Sequence, residues 1–179
     1  MDTMTSTTRT TNPYSLLIVG YGNERRGDEG VGRQVAATVA GWHLPAVKSL
    51  AAQQLLPEIA AEVAKASYVI FVDACGRCAS SIQLVPIVAD KQVLALCTAS
   101  SLDHVCEPRE LVALTHVLYG NHPQAWLLQI PTEHHDLGRS FSKTAQRGVD
   151  SALRTIEQVF TTYLRRPALT CSNLRVESA

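Results

Sequence analysis

Short apolar runs alternate with segments of helical period along this chain, and this alternation constrains the fold more than any other feature. The runs SLLIVG, YVIFVDA and AWLLQIP each have the length and composition of a buried strand. Parallel strands need crossover connections, and those crossovers cover the faces of the sheet. We therefore predict an α/β fold, a three-layer sandwich with a largely parallel, twisted sheet of about five strands and helices on both faces.

The remaining elements follow from spacing and from turn residues. Apolar residues recur with helical period in four segments, which cover about residues 28–41, 55–66, 108–120 and 142–163. AVKSLAA and SIQLVPIV are the two further strand candidates. Pro86 favours an edge position for the second, because proline donates no hydrogen bond to a neighbouring strand.

The chain length and the distribution of polar residues predict one domain. A chain of 179 residues can bury one sizeable core without a second unit. We expect a single α/β domain over residues 14–165, with flexible tails at residues 1–13 and 166–179. The first tail lacks the apolar centre of a secretory signal, and no stretch is long enough to span a membrane. We therefore expect a cytoplasmic protein with no membrane partner.

The net charge argues against nucleic-acid binding, and the cysteine content indicates a reducing compartment. Lys plus Arg and Asp plus Glu each total 16, so the formal net charge is zero. A neutral chain has no basic field to hold phosphate backbones, and we expect no nucleic-acid partner. The five cysteines are an odd number, which favours free thiols in a reducing compartment over a disulfide framework.

Acidic residues follow two of the predicted strands, at the edge where ligands gather in folds of this class. Asp28 and Glu29 come after the first strand, and Asp73 ends YVIFVDA. Asp28 and Glu29 have a second interpretation as a helix cap and a partner of the helix dipole. Asp73 is harder to explain structurally, because burying a carboxylate without a partner is costly.

Histidine is the other residue type with metal-binding potential in this chain. His104 precedes a predicted helix, in a loop of about residues 89–106 that is long enough to fold back over the strand ends. Two carboxylates and one imidazole would make a three-point site for nickel or zinc with open positions. The sequence has six histidines, however, and spacing alone does not choose among them.

The segment GYGNERRGDEGVG resembles the N-terminal signature of the hydrogenase maturation proteases. In that family a Gly-x-Gly-Asn turn leads to an acidic pair and then to Gly-x-Gly. The likeness continues through VIFVDA and HVCEPRELVALTHVLYGNHPQAWLLQI and spans about residues 15–160. Two features depart from the pattern: Cys106-Glu107-Pro108 stands where the family often has Ser-Pro, and Arg25 and Arg26 occupy a stretch that is commonly apolar.

The resemblance implies an activity, a partner and a set of site residues. Carried over by position, Glu29, Asp73 and His104 are the metal ligands and catalytic residues, and Asp28 is a neighbour of undefined role. The implied enzyme is an aspartyl-type endopeptidase that activates its partner by removing the C-terminal extension of a nickel–iron hydrogenase large-subunit precursor. Nickel belongs to the substrate, so we expect no tightly bound cofactor, although zinc or cadmium could substitute for nickel in a crystal. We expect a monomer.

Other functions remain open on sequence grounds. One alternative is a nickel-binding chaperone that escorts the large subunit without cutting it. Peptidyl-tRNA hydrolases also begin with a strand and a Gly-x-Gly-Asn turn, but the neutral charge counts against an RNA substrate. A dinucleotide-binding oxidoreductase needs a third glycine where Arg25 stands. The Cys75–Cys78 spacing is typical of dithiol or zinc sites, yet no second pair completes a zinc site.

Overall fold

A computed structural model describes residues 14–77, 80–88, 105–138 and 140–164. Both predicted tails lie outside these ranges, so the domain limits stay a prediction. His104 and Cys78 also lie outside them. Among the described residues, no helix has both the length and the apolar character needed to cross a lipid bilayer.

Five strands form one twisted sheet, as the sequence predicts. They are β1 (Tyr14–Tyr21), β2 (Val47–Ala52), β3 (Ala66–Cys75), β4 (Gln83–Ile87) and β5 (Gln124–Pro131). The strand order is β2-β1-β3-β5-β4. All neighbouring pairs are parallel except β4 with β5, which is antiparallel. β4 carries Pro86 and lies at the edge, which confirms the edge position predicted from that proline.

Four α-helices connect and cover these strands in the described residues. They are α1 (Val31–Ala40), α2 (Ala60–Val63), α3 (Pro108–Tyr119) and α4 (Lys143–Val159), and a π-helical turn, Phe160–Leu164, follows the last. α3 begins with proline and a capping box between Glu107 and Glu110, and it ends at Gly120, whose φ of 68° is left-handed.

The sheet separates two apolar cores, one on each face, so the predicted three-layer sandwich is confirmed. Alternate residues of a strand point to opposite faces. On one face Ile18 and Val72 pack with residues of α1 and α4 such as Val35 and Ile156. On the other face the next strand residues, Val19 and Phe71 among them, pack with residues of α2 and α3. Buried strands in the middle of the sheet therefore have few polar positions except at their ends.

Two helix predictions need correction. The helix predicted over residues 55–66 is only the 3-10 turn Pro57–Ile59 followed by α2, because β3 already begins at Ala66 and pairs there with β1. The helix predicted to start at Asp28 starts at Val31, and a 3-10 turn, Gly27–Gly30, precedes it. Asp28 does not cap α1, because its carboxylate bonds with a different part of the chain.

Candidate active site

The topology brings the ends of β1 and β3 together. The two strands are direct neighbours, with Gly20 of β1 opposite Val72 of β3. After β1 the chain crosses to β2 on one side, whereas β5 lies on the other side of β3. A change of direction of this kind opens a crevice beyond the carboxyl ends of the strands, which is where ligands bind in such folds.

Gly20 of β1 and Gly32 of α1 allow the helix to approach the sheet closely. A Cβ built on Gly32 would lie 2.4 Å from the Val72 carbonyl oxygen, and one built on Gly20 would lie 1.9 Å from the Gly32 carbonyl oxygen. Both distances are far shorter than a side chain tolerates. The glycine pattern of the sequence therefore serves close packing, and it holds the turn that carries Asp28 and Glu29 against β3.

Asp28 is fully buried and acts as an anchor for the loop between β5 and α4. Its Oδ2 accepts hydrogen bonds from the backbone N–H groups of Glu133 and His134, at 2.8 and 3.1 Å. Ser142 donates its backbone N–H to Oδ1 and its hydroxyl to Oδ2, both at 2.7 Å. Burial by itself raises the pKa of Asp28, but these four bonds outweigh it and hold the pKa below its usual value. Asp28 is therefore a structural carboxylate.

Glu29, the next residue, lies at the surface of the same turn, with 27% of its side chain exposed. Its Oε1 lies 3.5 Å from Nε of Arg26 and 3.5 Å from Nδ1 of His135. The two adjacent acids therefore differ in their surroundings. The Asp28 side chain is buried and hydrogen-bonded, whereas the Glu29 side chain faces the rim of the sheet.

Asp73 lies near the end of β3 and is partly buried. Its Oδ1 accepts the backbone N–H of Ala74 at 2.8 Å, and its carboxylate also accepts the hydroxyl of Tyr21 from the end of β1. Burial and the negative charge of Glu29 raise the pKa of Asp73 despite these two donors. Burial and Asp73 in turn raise the pKa of Tyr21 above its usual range, so the phenol keeps its proton and can donate it.

The structure therefore brings together two of the three predicted site residues, Glu29 and Asp73. They lie close enough for the charge of one to affect the other. The third, His104, lies outside the described residues, and its assignment stays a prediction. Within the described part of the chain, no three His, Cys, Asp or Glu side chains are arranged to hold a metal ion. Glu29 and Asp73 need a further donor to do so, and a divalent cation would relieve the repulsion between them.

His135 is a residue at this site that sequence reasoning did not select. It is in the loop after β5, the strand that runs parallel to β3 and ends at the same edge of the sheet. Besides its contact with Glu29, its ring fills the space beside Gly76, where a Cβ would lie 2.9 Å from Nε2. The position after a parallel strand was a usable signal, but the sequence did not show that the loop turns back toward Glu29.

Cys75, at the end of β3, is disulfide-bonded, whereas Cys106 is buried and takes part in no disulfide. The expectation that the cysteines stay outside disulfides is therefore wrong at Cys75 and confirmed at Cys106. With an odd number of cysteines, at least one cannot form a disulfide within the chain, but the others still can. The prediction was wrong at Cys75 because the count does not exclude a single disulfide.

A scan against protein-family models finds no match, and a search of curated proteins finds no similar sequence. Solved structures are similar in fold. The maturation protease HycI from Thermococcus kodakarensis is 19% identical with a TM-score of 0.62, and the alignment covers 82% of this chain and 92% of that one. The maturating endopeptidase HybD from E. coli is 19% identical with a TM-score of 0.59, covering 82% and 91%.

The hydrogenase 2 maturation peptidase from a Thaumarchaeota archaeon gives a similar result, with 17% identity, a TM-score of 0.60 and coverage of 82% and 97%. At identities this low, the structural similarity establishes a shared fold. The matched region spans nearly the whole of each of these proteins. The chain therefore shares the fold of solved nickel–iron hydrogenase maturation proteases.

Proposed function

We propose that this protein is an endopeptidase that removes the C-terminal extension of a nickel-loaded hydrogenase large-subunit precursor. The observation that carries the proposal is the placement of Glu29 and Asp73 at adjacent strand ends, within electrostatic reach of each other, in this fold. Two close, partly buried carboxylates at the rim of the sheet attract a divalent cation, and nickel held by the precursor is such a cation.

Each site residue has a distinct task in this proposal. Glu29 and Asp73, with His104 as the third predicted ligand, bind the nickel ion of the substrate and so select a precursor that is already loaded. Tyr21 holds the Asp73 carboxylate through its hydroxyl and limits how far the pKa of Asp73 rises. Bound nickel, or a water near it, supplies the polarisation of the scissile carbonyl.

The test is a processing reaction with purified components. Nickel-loaded precursor incubated with the full chain should lose the mass of its C-terminal extension, measured by mass spectrometry. Glu29→Gln and Asp73→Asn should each slow this loss by about 100-fold or more, because loss of a ligand should cost at least as much as the roughly 10- to 100-fold that follows loss of a group holding a ligand. The matched control is Asp150→Asn, an exposed acid on α4, which should process at the wild-type rate. Wild-type processing by Asp73→Asn would contradict the proposal.

The same reaction separates peptidase action from nickel chaperoning. A protein that binds the loaded precursor without any mass loss would be a chaperone, and the endopeptidase proposal would be wrong.

We further propose that the protein acts as a monomer in the cytoplasm. Light scattering of the purified protein should give the mass of one chain, about 19.4 kDa, and twice that mass would contradict the monomer. A disulfide at Cys75 is unusual for that compartment, so the location needs a direct test. Cell fractionation should recover the protein in the cytoplasmic fraction, and recovery outside it would contradict the proposal.

A further inference from the structure

The loop between β5 and α4 is fixed to the turn that carries Glu29. Besides the four bonds to the Asp28 carboxylate, the Asp28 backbone N–H donates to the His134 carbonyl oxygen at 2.9 Å. The Gly138 backbone N–H donates to the Arg25 carbonyl oxygen, also at 2.9 Å. Of these six bonds, two are buried and two are part-buried, and together they leave the loop little freedom to move relative to the turn.

His135 lies in the middle of this fixed loop, and two contacts define the place of its ring. One edge faces Glu29 through Nδ1, and the other fills the space that the missing side chain of Gly76 leaves open. Gly76 directly follows β3, the strand that carries Asp73. The imidazole therefore lies between the two segments that supply the candidate site carboxylates.

The contacts of Glu29 are selective for one of its oxygens. Among the described residues, Nε of Arg26 and Nδ1 of His135 both approach Glu29 at Oε1. At 3.5 Å they are longer than good hydrogen bonds. Contacts of this length at functional sites commonly shorten when the ligand binds. A carboxylate that is held at one oxygen presents the other in a defined direction.

We propose that His135 is a positioning residue for Glu29: with Arg26 it holds Oε1 and leaves Oε2 to bind the nickel ion of the substrate. This inference rests on the proposed function. Partners that hold a ligating carboxylate typically contribute 10- to 100-fold to metal affinity. Asp28 takes part indirectly, because it fixes the loop that carries His135.

The experiment measures Ni²⁺ binding to the full chain by calorimetry, with nickel chloride as the probe. His135→Leu removes the Nδ1 donor and should weaken Ni²⁺ binding by about 10-fold. His135→Asn should recover most of the affinity, because its amide nitrogen lies near the position of Nδ1. The matched control is His134→Leu, which changes the neighbouring side chain and keeps its backbone bonds to Asp28. The midpoint of thermal unfolding should stay unchanged in all three variants.

A double-mutant cycle shows whether His135 acts through Glu29. In a Glu29→Gln background, His135→Leu should cause no further loss of affinity. A crystal structure of His135→Leu without metal should show the Glu29 carboxylate displaced from its wild-type position.

Wild-type Ni²⁺ affinity in His135→Leu, or an equal loss with and without Glu29, would overturn the role of His135 and leave the proposed function standing. Wild-type protein that does not bind Ni²⁺, or that binds it equally well after Glu29→Gln, would instead contradict the proposed site, and the role of His135 with it.

Discussion

Two aspartates at the same end of the sheet have opposite surroundings, and the comparison separates structure from function. Asp28 anchors the β5–α4 loop through four donors, and its pKa is lowered. Asp73, at the end of β3, has the Ala74 N–H and the Tyr21 hydroxyl as donors and Glu29 as a like-charged neighbour, and its pKa is raised. A carboxylate whose charge is fully compensated serves the fold. One whose charge is left partly uncompensated is available to bind a cation.

The largest effect predicted by this comparison is on stability, at Asp28. Asp28→Ala leaves three backbone N–H groups and one hydroxyl without their acceptor. Because a buried donor that loses its partner costs about 1–3 kcal/mol, the free energy of unfolding should fall by about 3 kcal/mol or more. Urea denaturation measures it, with the exposed Asp150→Ala as control, expected within about 0.5 kcal/mol of wild type. A loss below about 1 kcal/mol would show that Asp28 is not the anchor.

A smaller effect is expected at Tyr21. Tyr21→Phe removes the hydroxyl that donates to Asp73 and should reduce the free energy of unfolding by about 1 kcal/mol. It should also raise the pKa of Asp73 further, since that hydrogen bond favours the ionised carboxylate. Carbon NMR of the Asp73 carboxyl group through a pH titration measures the change. Tyr119→Phe, at the exposed end of α3, is the control. If the pKa of Asp73 is the same in Tyr21→Phe as in wild type, Tyr21 does not stabilise the ionised Asp73 carboxylate.

The smallest effect concerns the sign of the pH dependence. The folded pKa of Asp73 lies above its usual value of 3.8, so ionisation of Asp73 destabilises the fold as the pH rises from 3.8 through the raised folded value. Asp73→Asn should therefore gain stability relative to wild type over that range, by less than about 1 kcal/mol.

Asp28 should show the opposite sign. Its folded pKa lies below 3.8, so its stabilising contribution is complete above pH 3.8 and is lost as the pH falls through the lowered value. Asp28→Asn should thus have a lower free energy of unfolding than wild type, mainly at pH values above that range. Urea denaturation of both variants at a series of pH values checks the two signs, and equal signs would contradict the comparison.

Much of the fold could be predicted from sequence because it depends on local pattern. The apolar runs correspond to β1, β3 and β5. Pro86 predicted that β4 is an edge strand, because a proline lacks the N–H that would bond to a second neighbouring strand. The helix over residues 55–66 was predicted too long, because pairing of Ala66 with β1 ends it early. Local propensity does not include the tertiary contact that competes with it.

The candidate site was predicted in part for the same reason. Glu29 lies in the turn after β1 and Asp73 lies near the end of β3. Because parallel neighbours end at one edge of the sheet, the strand order brings the two acids close together. The roles of Asp28, Tyr21 and His135 did not follow. Asp28 had the spacing of a helix cap, and only its actual partners, more than a hundred residues further along the chain, show that it is a loop anchor.

The sequence by itself determined the alternation of strands and helices and the rim on which the acids lie, because periodicity and strand-end position are properties of neighbouring residues. Only the tertiary structure decided which of two adjacent acids is buried and which histidine faces Glu29. Those outcomes depend on hydrogen bonds between segments far apart in the chain, and the free energy of such bonds depends on burial and geometry that no local pattern contains.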